Sequence, residues 1–308
     1  MSAYITTNGQ PREDIKIVPR KVSFDWNGVT PNFIPGDPVT SHCINTLHII
    51  FPMGENAFCR IFNEALPYLD DDPKLKADAI GFIRQEAMHS RSHQIVLGHY
   101  ETCGYDVQLL ADKLDSFVAT RSGEKVFGLF NAPNEWMRRK WLSHRLMVVA
   151  AIEHFTCLMG VWMLENKSLK AAGANETMLD LLCWHCAEEV EHRNVAYDIA
   201  MYVSGNNHFQ RYLAMIMCVP LLYKFMKVGA LHMMAQDPTL KGQKISFWKA
   251  WQGGAKRGLL PGFNMLMRST KRWFRRDYNP EVEADTQQAL DYFAISPAAQ
   301  AAEQRIAG

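Results

Sequence analysis

The sequence predicts an all-α protein, in which four long helices form a bundle, preceded by an extended N-terminal arm and followed by additional C-terminal helices. Apolar residues recur at helical spacing over four long segments, and helix-starting and helix-ending residues bracket these segments. No convincing strand separates them. A chain of 308 residues with 48% apolar residues is long enough to bury the core of such a bundle.

The first 40 residues are predicted to form the extended arm, because prolines recur through them and interrupt any helix. The first helix spans about Thr40 to Leu66, with an expected kink at Pro52 and with Glu55 in its middle. Residues 41–205 are expected to form the bundle itself.

The second and third bundle helices have clear ends. Asp72 followed by Pro73 is a strong start signal, and that helix can run to Gly104. A shorter helical piece is predicted over residues 107–129. The third long helix runs from Asn134 to Asn166, with Glu153 in mid-span.

The fourth long helix is predicted to start at Asn175 and to continue without a break until just before Gly205. Residues 206–280 are expected to pack on the bundle as an apolar helix, about residues 208–235, followed by a basic helical segment. The tail, residues 281–308, is acidic and then alanine-rich, and is expected to fray.

Composition limits the location and the partners of the protein. A formal net charge of +1 implies no overall attraction to nucleic acid. Seven cysteines without a framework pattern fit a reducing compartment, so a cytoplasmic location is expected. The first 30 residues have no apolar segment of signal-peptide length. A transmembrane helix is not expected, because the most apolar run, from Tyr212 to Tyr223, is shorter than the ~20 residues needed.

The candidate functional residues are glutamates and histidines placed inside apolar helical segments. At ~100° per residue, the offsets of four and seven put His185, Glu189 and His192 on one helix face. Glu86 and His89 share a face in the same way, and two other long helices each carry one isolated glutamate. The complete set is Glu55, Glu86, His89, Glu153, His185, Glu189 and His192.

This pattern matches a dinuclear metal site in a four-helix bundle. Two helices supplying Glu-x-x-His and two supplying one Glu each form the di-iron or di-manganese site of ferritin-like carboxylate proteins. Four buried glutamates would be very costly if they were ionised and unpaired, whereas two divalent cations neutralise them. Oxygen-rich donors suit iron or manganese better than zinc. Two iron ions are therefore expected, with manganese as the alternative in one or both positions.

The chain resembles the ferritin-like family catalogued as predicted metal-dependent hydrolases. The similarity rests on "FPMGENAF", "QEAMHSRSH", "AAIEHFT" and "CWHCAEEVEHRNVAYD", and it covers roughly residues 18–280. The additional His185 is also similar to the ligand order of the dinuclear iron arylamine N-oxygenases, whose last helix carries His-x-x-x-Glu-x-x-His. By that resemblance all seven residues would bind metal.

Several neighbouring residues have more than one interpretation. His93 could be a further ligand or could orient a ligating carboxylate. Glu188 could replace or assist Glu189, whereas Glu191 is expected to point away into solvent. His154 lies ~100° off the face of Glu153 and is interpreted as a satisfied core histidine.

The other chemically distinctive residues favour structural roles. Cys183 and Cys186 form a C-x-x-C pair, but they lie within a helix and no second pair is present, so packing is expected. Tyr100 and Tyr197 lie one to four turns from predicted ligands and are also expected to pack. No phosphate-binding loop, nucleophile elbow or nucleotide fingerprint appears.

The basic segment, residues 241–276, contains ten Lys or Arg and no Asp or Glu, interleaved with aromatic residues. It could lie on an anionic membrane surface, or it could wrap the bundle with its charges solvated. The apolar helix before it could line a substrate pocket, form a dimer interface or face a membrane, with a place in the core as the default.

The function predicted from these observations is that of a non-haem di-iron oxygenase or oxidase. It would use O2 and an electron donor to oxidise an apolar or aromatic small molecule. The alternatives are a hydrolase that uses the same two metals to activate water, and a non-catalytic iron-binding bundle. A homodimer is left open, and a nucleic-acid partner is not expected.

Overall fold

A computed structural model describes residues 17–307 of the chain. Among these residues no β-strand forms, and there is one isolated bridge, between Val126 and Phe130. The long helices are α1 (Pro38–Ala65), α2 (Pro73–Thr102), α4 (Glu135–Glu165) and α8 (His208–Gln236). The shorter ones are α3 (Gln108–Ser122), α5 (Ser168–Ala171), α6 (Glu176–Glu191), α7 (Val195–Ser204), α9 (Phe247–Lys256), α10 (Phe263–Trp273), α11 (Thr286–Phe293) and α12 (Pro297–Ala307). The all-α prediction is confirmed.

The bundle helices α2, α4 and α6 start where the sequence places capping residues. The side chains of Asp72, Asn134 and Asn175 each accept a hydrogen bond from a backbone amide three residues later. These contacts satisfy amides that have no partner inside the helix. Asp37 caps α1 in the same way, so that α1 starts two residues before the expected Thr40. Pro52 lies inside α1, as expected.

The bundle is formed by α1, α2, α4 and the pair α6 and α7. Helix α1 packs along α2, α4 packs along both α6 and α7, and α8 lies outside against α1 and α4. Two separate apolar clusters fill the two ends of the bundle, one around Ile49, Val96 and Trp184, the other around Phe62 and Leu146. All the predicted ligands lie in sequence between residues of the first cluster and residues of the second. A polar layer therefore divides the core.

The fourth bundle helix is interrupted, contrary to the prediction of one continuous helix. Helix α6 ends at Glu191 and α7 begins at Val195, with a turn at residues 192–194. The Arg193 side chain donates to the Val190 carbonyl, which a continuous helix would pair with the amide of Asn194. Arg193 is further held by an ion pair with Glu281, at 2.6 Å. A contact with a distant segment thus competes with the local helical pattern.

The described part of the arm, residues 17–37, contains no helix and lies against the bundle. Asn45 of α1 donates to the Pro31 carbonyl, and the Phe33 carbonyl accepts from the amide of Asn175, where α6 begins. Phe33 and Ile34 are buried in the core. The prediction of an extended arm over residues 1–16 lies outside the described residues.

The tail, expected to fray, is folded. Helices α11 and α12 pack on α6, and Ala289, Phe293 and Ala299 are buried. Asp180 of α6 accepts hydrogen bonds from the hydroxyl of Ser296 and from the amide of Ala298. Small alanine side chains let these short helices approach α6 closely, and the buried carboxylate holds them there. The composition of the tail showed none of these contacts.

Two helices, α4 and α8, have the length and apolar composition of a membrane span. No transmembrane helix was expected, because the run from Tyr212 to Tyr223 is short, but the apolar pattern of α8 extends beyond that run. About 61% of the apolar window of α4 is buried inside the protein, but only 33% of that of α8. The composition of α4 is explained by its place in the core, whereas the outer face of α8 is apolar and exposed.

Gly160 sets the closest approach of α4 to α6, and replacing it should destabilise the fold. A Cβ at this position would lie 2.7 Å from the backbone carbonyl oxygen of Cys186, which cannot rotate away. We expect Gly160→Ala to lower the free energy of unfolding by about 1–3 kcal/mol. Gly98→Ala in α2 is the matched control, because nothing lies within 4 Å of a Cβ there. It should stabilise the protein by up to ~1 kcal/mol. Urea denaturation of both variants measures the difference, and equal effects would contradict the packing argument.

Candidate metal centre

The polar layer of the bundle brings together all seven predicted site residues. Helix α1 supplies Glu55, α2 supplies Glu86 and His89, and α4 supplies Glu153. Helix α6 supplies His185 and Glu189, and the turn after it supplies His192. Each of the seven is at most 3% exposed. The structure shows that these residues converge in one buried cluster. Their role as metal ligands stays a prediction.

The first group of donors surrounds the His192 imidazole. Its Nε2 lies 3.1 Å from Oε2 of Glu153, 3.2 Å from Oε2 of Glu189 and 3.4 Å from Oε1 of Glu86. One donor atom from each of these four residues lies within 4.8 Å of the others. Three carboxylates and one imidazole nitrogen at this spacing can hold a single cation.

Two further donor groups lie beside the first, and each shares one carboxylate with it. Nδ1 of His89 lies 3.6 Å from Oε1 of Glu86 and 3.6 Å from Oε1 of Glu189. Nε2 of His185 lies 2.8 Å from Oε1 of Glu189 and 3.8 Å from Oε1 of Glu55. Glu86, with Glu55 and His89, belongs to one of these groups, and Glu189, with His89 and His185, belongs to the other. Each group could hold a metal ion, and the shared residues join the groups into one cluster.

The hydrogen bonding of these residues provides a test of whether a metal fits. Both carboxylate oxygens of Glu55, Glu86 and Glu153, and Nδ1 of His89, are buried and have no hydrogen-bond partner. Buried polar atoms are normally paired, since each unpaired one costs about 1–3 kcal/mol and charged ones cost more. Seven such atoms lie in one cluster, and bound cations would provide the partners that the protein does not. The donor set thus fits a pair of divalent metal ions.

The charges of the cluster are strongly coupled. Burial raises the pKa values of Glu55 and Glu153 well above the usual range, and neighbouring carboxylates raise them further. Burial also raises the pKa of Glu189, but the His192 and His185 imidazoles outweigh it and hold that pKa well below its usual range. For His192 the effect of burial is outweighed by Glu189 and Glu153, so its pKa is raised. Burial lowers the pKa of His185 to about 4.

A second network, behind the ligands, fixes His89. Nε2 of His89 lies 3.0 Å from Oε2 of Glu188. Because a carboxylate only accepts hydrogen bonds, Nε2 carries the proton and the lone pair of the neutral ring is on Nδ1, which faces the cluster. Glu188, considered from the sequence as a residue that could replace or assist Glu189, thus orients the His89 ring. The arm supplies its counter-charge, Arg20, at 3.1 Å.

The same network reaches His192 through an amide. Nδ1 of His192 donates to Oε1 of Gln85 at 2.9 Å, so that Nε2 faces the carboxylates. The amide nitrogen of Gln85 donates to Glu191 at 2.7 Å, and Arg20 donates two further hydrogen bonds to Glu191. The prediction that Glu191 is solvated was wrong, since it is 5% exposed. Helical spacing alone showed that Glu191 points away from the ligands, but not that the arm covers it.

A chain of imidazoles extends from His185 away from the carboxylates. Nδ1 of His185 lies 2.6 Å from Nε2 of His93, and Nδ1 of His93 lies 2.6 Å from Nδ1 of His48. All three rings are buried. His93 contacts His185 directly and could also join it and Glu55 in a donor group. Both interpretations of His93 therefore remain, and His48 was not singled out from the sequence.

The remaining candidates have structural roles. His154 is a satisfied core histidine, as predicted, with Nδ1 2.7 Å from the Tyr278 hydroxyl and Nε2 2.7 Å from the Ser269 hydroxyl. The cysteines at 183 and 186 are free thiols, and burial raises their pKa values. The pocket beside His154, Arg193 and Tyr278 has no room for a water molecule and includes none of the seven cluster residues.

Comparison with known proteins decides the family. A family model described as "Predicted metal-dependent hydrolase" matches residues 18–284 of the chain. The chain belongs to this family. No curated protein and no solved structure matches it. The family supports metal dependence, as the buried Glu and His residues do. It does not show the oxygenase activity expected from the sequence, nor the similarity to arylamine N-oxygenases.

Replacing one ligand should separate metal binding from folding. Glu153→Gln removes a buried charge and an anionic donor while preserving the shape of the side chain. We expect a metal-free protein that is at least as stable as the original, because the pKa of Glu153 is raised by burial. We also expect metal affinity to fall by more than about 100-fold. Thermal unfolding with and without metal, together with elemental analysis, measures both effects.

Glu64→Gln is the control for this substitution. Glu64 lies on α1, nine residues after Glu55, and pairs with Arg145 outside the cluster. The Glu64→Gln substitution should not change the stabilisation by metal. That stabilisation is about 4 kcal/mol at a free metal concentration 1,000 times the Kd. A Glu153→Gln protein that binds metal like the original would show that Glu153 is not a ligand.

Metal binding should depend on pH and should release protons. In the metal-free protein the raised pKa values of Glu55, Glu153 and His192 mean that these groups retain protons at a pH where free side chains would have lost them. A cation must displace these protons, so affinity should rise with pH. Calorimetric titration in buffers of different ionisation enthalpy measures the number of protons released. A binding enthalpy that does not depend on the buffer would contradict this prediction.

Proposed function

We propose that the protein is a hydrolase that uses two divalent cations bound by Glu55, Glu86, His89, Glu153, His185, Glu189 and His192. The observation that carries this proposal is that Glu86 and Glu189 each belong to two adjoining donor groups of one buried cluster. The family description supports hydrolysis over the oxidation expected from the sequence. The substrate would be an ester, an amide or a phosphoryl compound whose reacting oxygen can reach both cations.

A pair of bound cations would lower the pKa of a water molecule and polarise the substrate oxygen. The chain's own residues hold the geometry for this chemistry. Glu188 and Gln85 keep the protons of His89 and His192 on the ring nitrogens that face away from the cluster. Arg20 pairs with Glu188 and with Glu191, and Glu191 accepts a hydrogen bond from Gln85. The orientation of both imidazole rings therefore depends on one guanidinium.

The aromatic residues around the cluster exclude bulk water. The rings of Phe51, Phe82 and Trp184 lie 4.7 Å, 4.9 Å and 5.1 Å from the rings of His185, His192 and His89. Electrostatic interactions are stronger in such a dry environment. The carboxylates there hold positive charge more tightly than they would at the surface.

A second candidate function, the oxidation of an apolar small molecule with O2 and an electron donor, is favoured by one observation. Four carboxylates and two of the imidazoles, those of His89 and His192, match the donor set of di-iron and di-manganese carboxylate proteins, and His185 is an additional donor. Oxygen-rich donors also favour iron or manganese over zinc. The substrate, the electron donor and the native metal pair stay predictions.

One experiment separates the two candidates. The protein is reconstituted separately with iron, manganese and zinc, and its metal content is measured. Each form is then tested anaerobically against chromogenic carboxylic and phosphoric esters, and the reduced iron form is tested for oxygen consumption. A hydrolase should turn over ester without oxygen and with zinc or manganese, and Glu86→Gln should abolish turnover while Glu64→Gln retains it.

Two results would overturn the proposal. Oxygen consumption that depends on Glu86, with no ester hydrolysis in any metal form, would assign oxidation instead. Metal content far below two per chain after reconstitution would exclude the dinuclear site on which both candidates rest.

A further inference from the structure

One face of α8 carries apolar side chains that are exposed rather than buried. At ~100° per residue, Phe209, Leu213, Ile216, Pro220 and Tyr223 fall within an arc of roughly 80°. All five are exposed, Phe209 by 73% and Ile216 by 61%. The opposite face of the helix packs on α1 and α4. A contiguous apolar strip of this kind on a protein surface marks an interaction site.

Helix α10 carries a second exposed apolar strip with basic residues along its edge. Phe263, Met267 and Phe274 fall within about 40° of one another on the helical projection and are all exposed. Lys271 and Arg268 follow on the same side of the strip, also exposed. The buried side of this helix, which includes Ser269 and Trp273, faces the protein. The exposed side of α10 therefore carries both apolar and basic side chains, while its other side packs against the protein.

Ring contacts join these strips. Tyr212 of α8 lies 5.5 Å from Phe274 at the end of α10, measured between ring centroids. Trp248 of α9 lies 5.4 Å from Phe263 at the start of α10. Tyr223 of α8 lies 5.6 Å from Phe247, the first residue of α9. The outer sides of α8, α9 and α10 therefore belong to one surface, which we call the α8–α10 surface.

Most of the basic residues of the α8–α10 surface form no ion pair with a carboxylate among the described residues. Arg257, Arg272 and Arg275 pair with carboxylates. Among residues 17–307, no carboxylate forms an ion pair with the other seven basic residues of the segment, and all seven are exposed. These seven are Lys241, Lys244, Lys249, Lys256, Arg268, Lys271 and Arg276. The exposed Lys224 and Lys227 add two more positive charges next to the apolar strip of α8.

The combination of apolar, aromatic and basic residues selects among the partners that could cover this surface. A two-fold dimer through it would set the same unpaired basic residues against each other, which repel. Nucleic acid would neutralise the charges but would leave the apolar strip of α8 in water. An anionic lipid bilayer accommodates both, since the apolar side chains enter the acyl boundary and the basic ones contact the headgroups.

We propose that the α8–α10 surface binds the protein peripherally to an anionic lipid membrane. Helices α8 and α10 lie along the bilayer surface, with Phe209, Ile216 and Phe263 inserted among the lipids. Lys271 and Arg268 contact acidic headgroups. This proposal does not rest on the proposed catalytic function, because none of these residues contributes to the metal cluster.

Vesicle flotation of the full chain tests the proposal. Vesicles of phosphatidylcholine alone are compared with vesicles that also contain phosphatidylglycerol, at low and at high salt. We expect binding to the anionic vesicles that weakens with salt. Arg268→Gln combined with Lys271→Gln should lower the partition coefficient by roughly 30-fold. Phe209→Ser combined with Ile216→Ser should lower it by at least about tenfold.

Ile295→Ser is the matched control, because Ile295 is 71% exposed and lies between α11 and α12, which pack on α6. It should bind vesicles like the original protein. All the replaced side chains are exposed, so the variants should fold, and circular dichroism checks this. Absence of binding to anionic vesicles at low salt, or equal binding by all variants, would overturn the proposal. A dimer in solution that Phe209→Ser with Ile216→Ser dissociates, without vesicle binding, would assign the surface to a second copy instead.

Discussion

The structure depends on one electrostatic constraint, the burial of four carboxylates and three imidazoles in a single layer of the bundle. Six carboxylate oxygens in this layer have no hydrogen-bond partner. Such a layer is unfavourable for the polypeptide by itself, because buried anions lose hydration and repel one another. It also lies between the two largest apolar clusters of the core. Divalent cations bound by the donor atoms would neutralise the carboxylates, which makes such a layer compatible with the fold.

The helices and the seven cluster residues could be predicted from the sequence because both depend on local spacing. Asp72, Asn134 and Asn175 act within one turn of their own helices, so their capping role is visible in the sequence. The spacing of Glu86 and His89 puts both on one face, whatever else surrounds them. A charged residue in an apolar helical pattern must face either water or a partner. Four helices with such residues in mid-span made a shared partner the simpler interpretation.

The features that could not be predicted depend on contacts between distant parts of the chain. Arg20 and Glu191 are 171 residues apart, and only the folded arm brings them together. At the break after α6, Arg193 bonds to the Val190 carbonyl and pairs with Glu281, whereas the local apolar pattern is continuous. The order of α11 and α12 depends on Asp180. Each of these contacts satisfies a buried charge, which sequence periodicity does not reveal.

Arg20 shows how the arm and the cluster depend on each other. Its guanidinium bridges Glu188 and Glu191 and lies 3.4 Å from the centroid of the Phe293 ring in α11. One side chain thus links the arm, α6 and the C-terminal helices. Because Glu188 and Gln85 orient the His89 and His192 rings, the donor geometry of the cluster depends on segments that contribute no ligand. The arm and the tail therefore contribute to the geometry of the cluster, since Arg20 connects them to Glu188 beside His89 and, through Glu191 and Gln85, to His192.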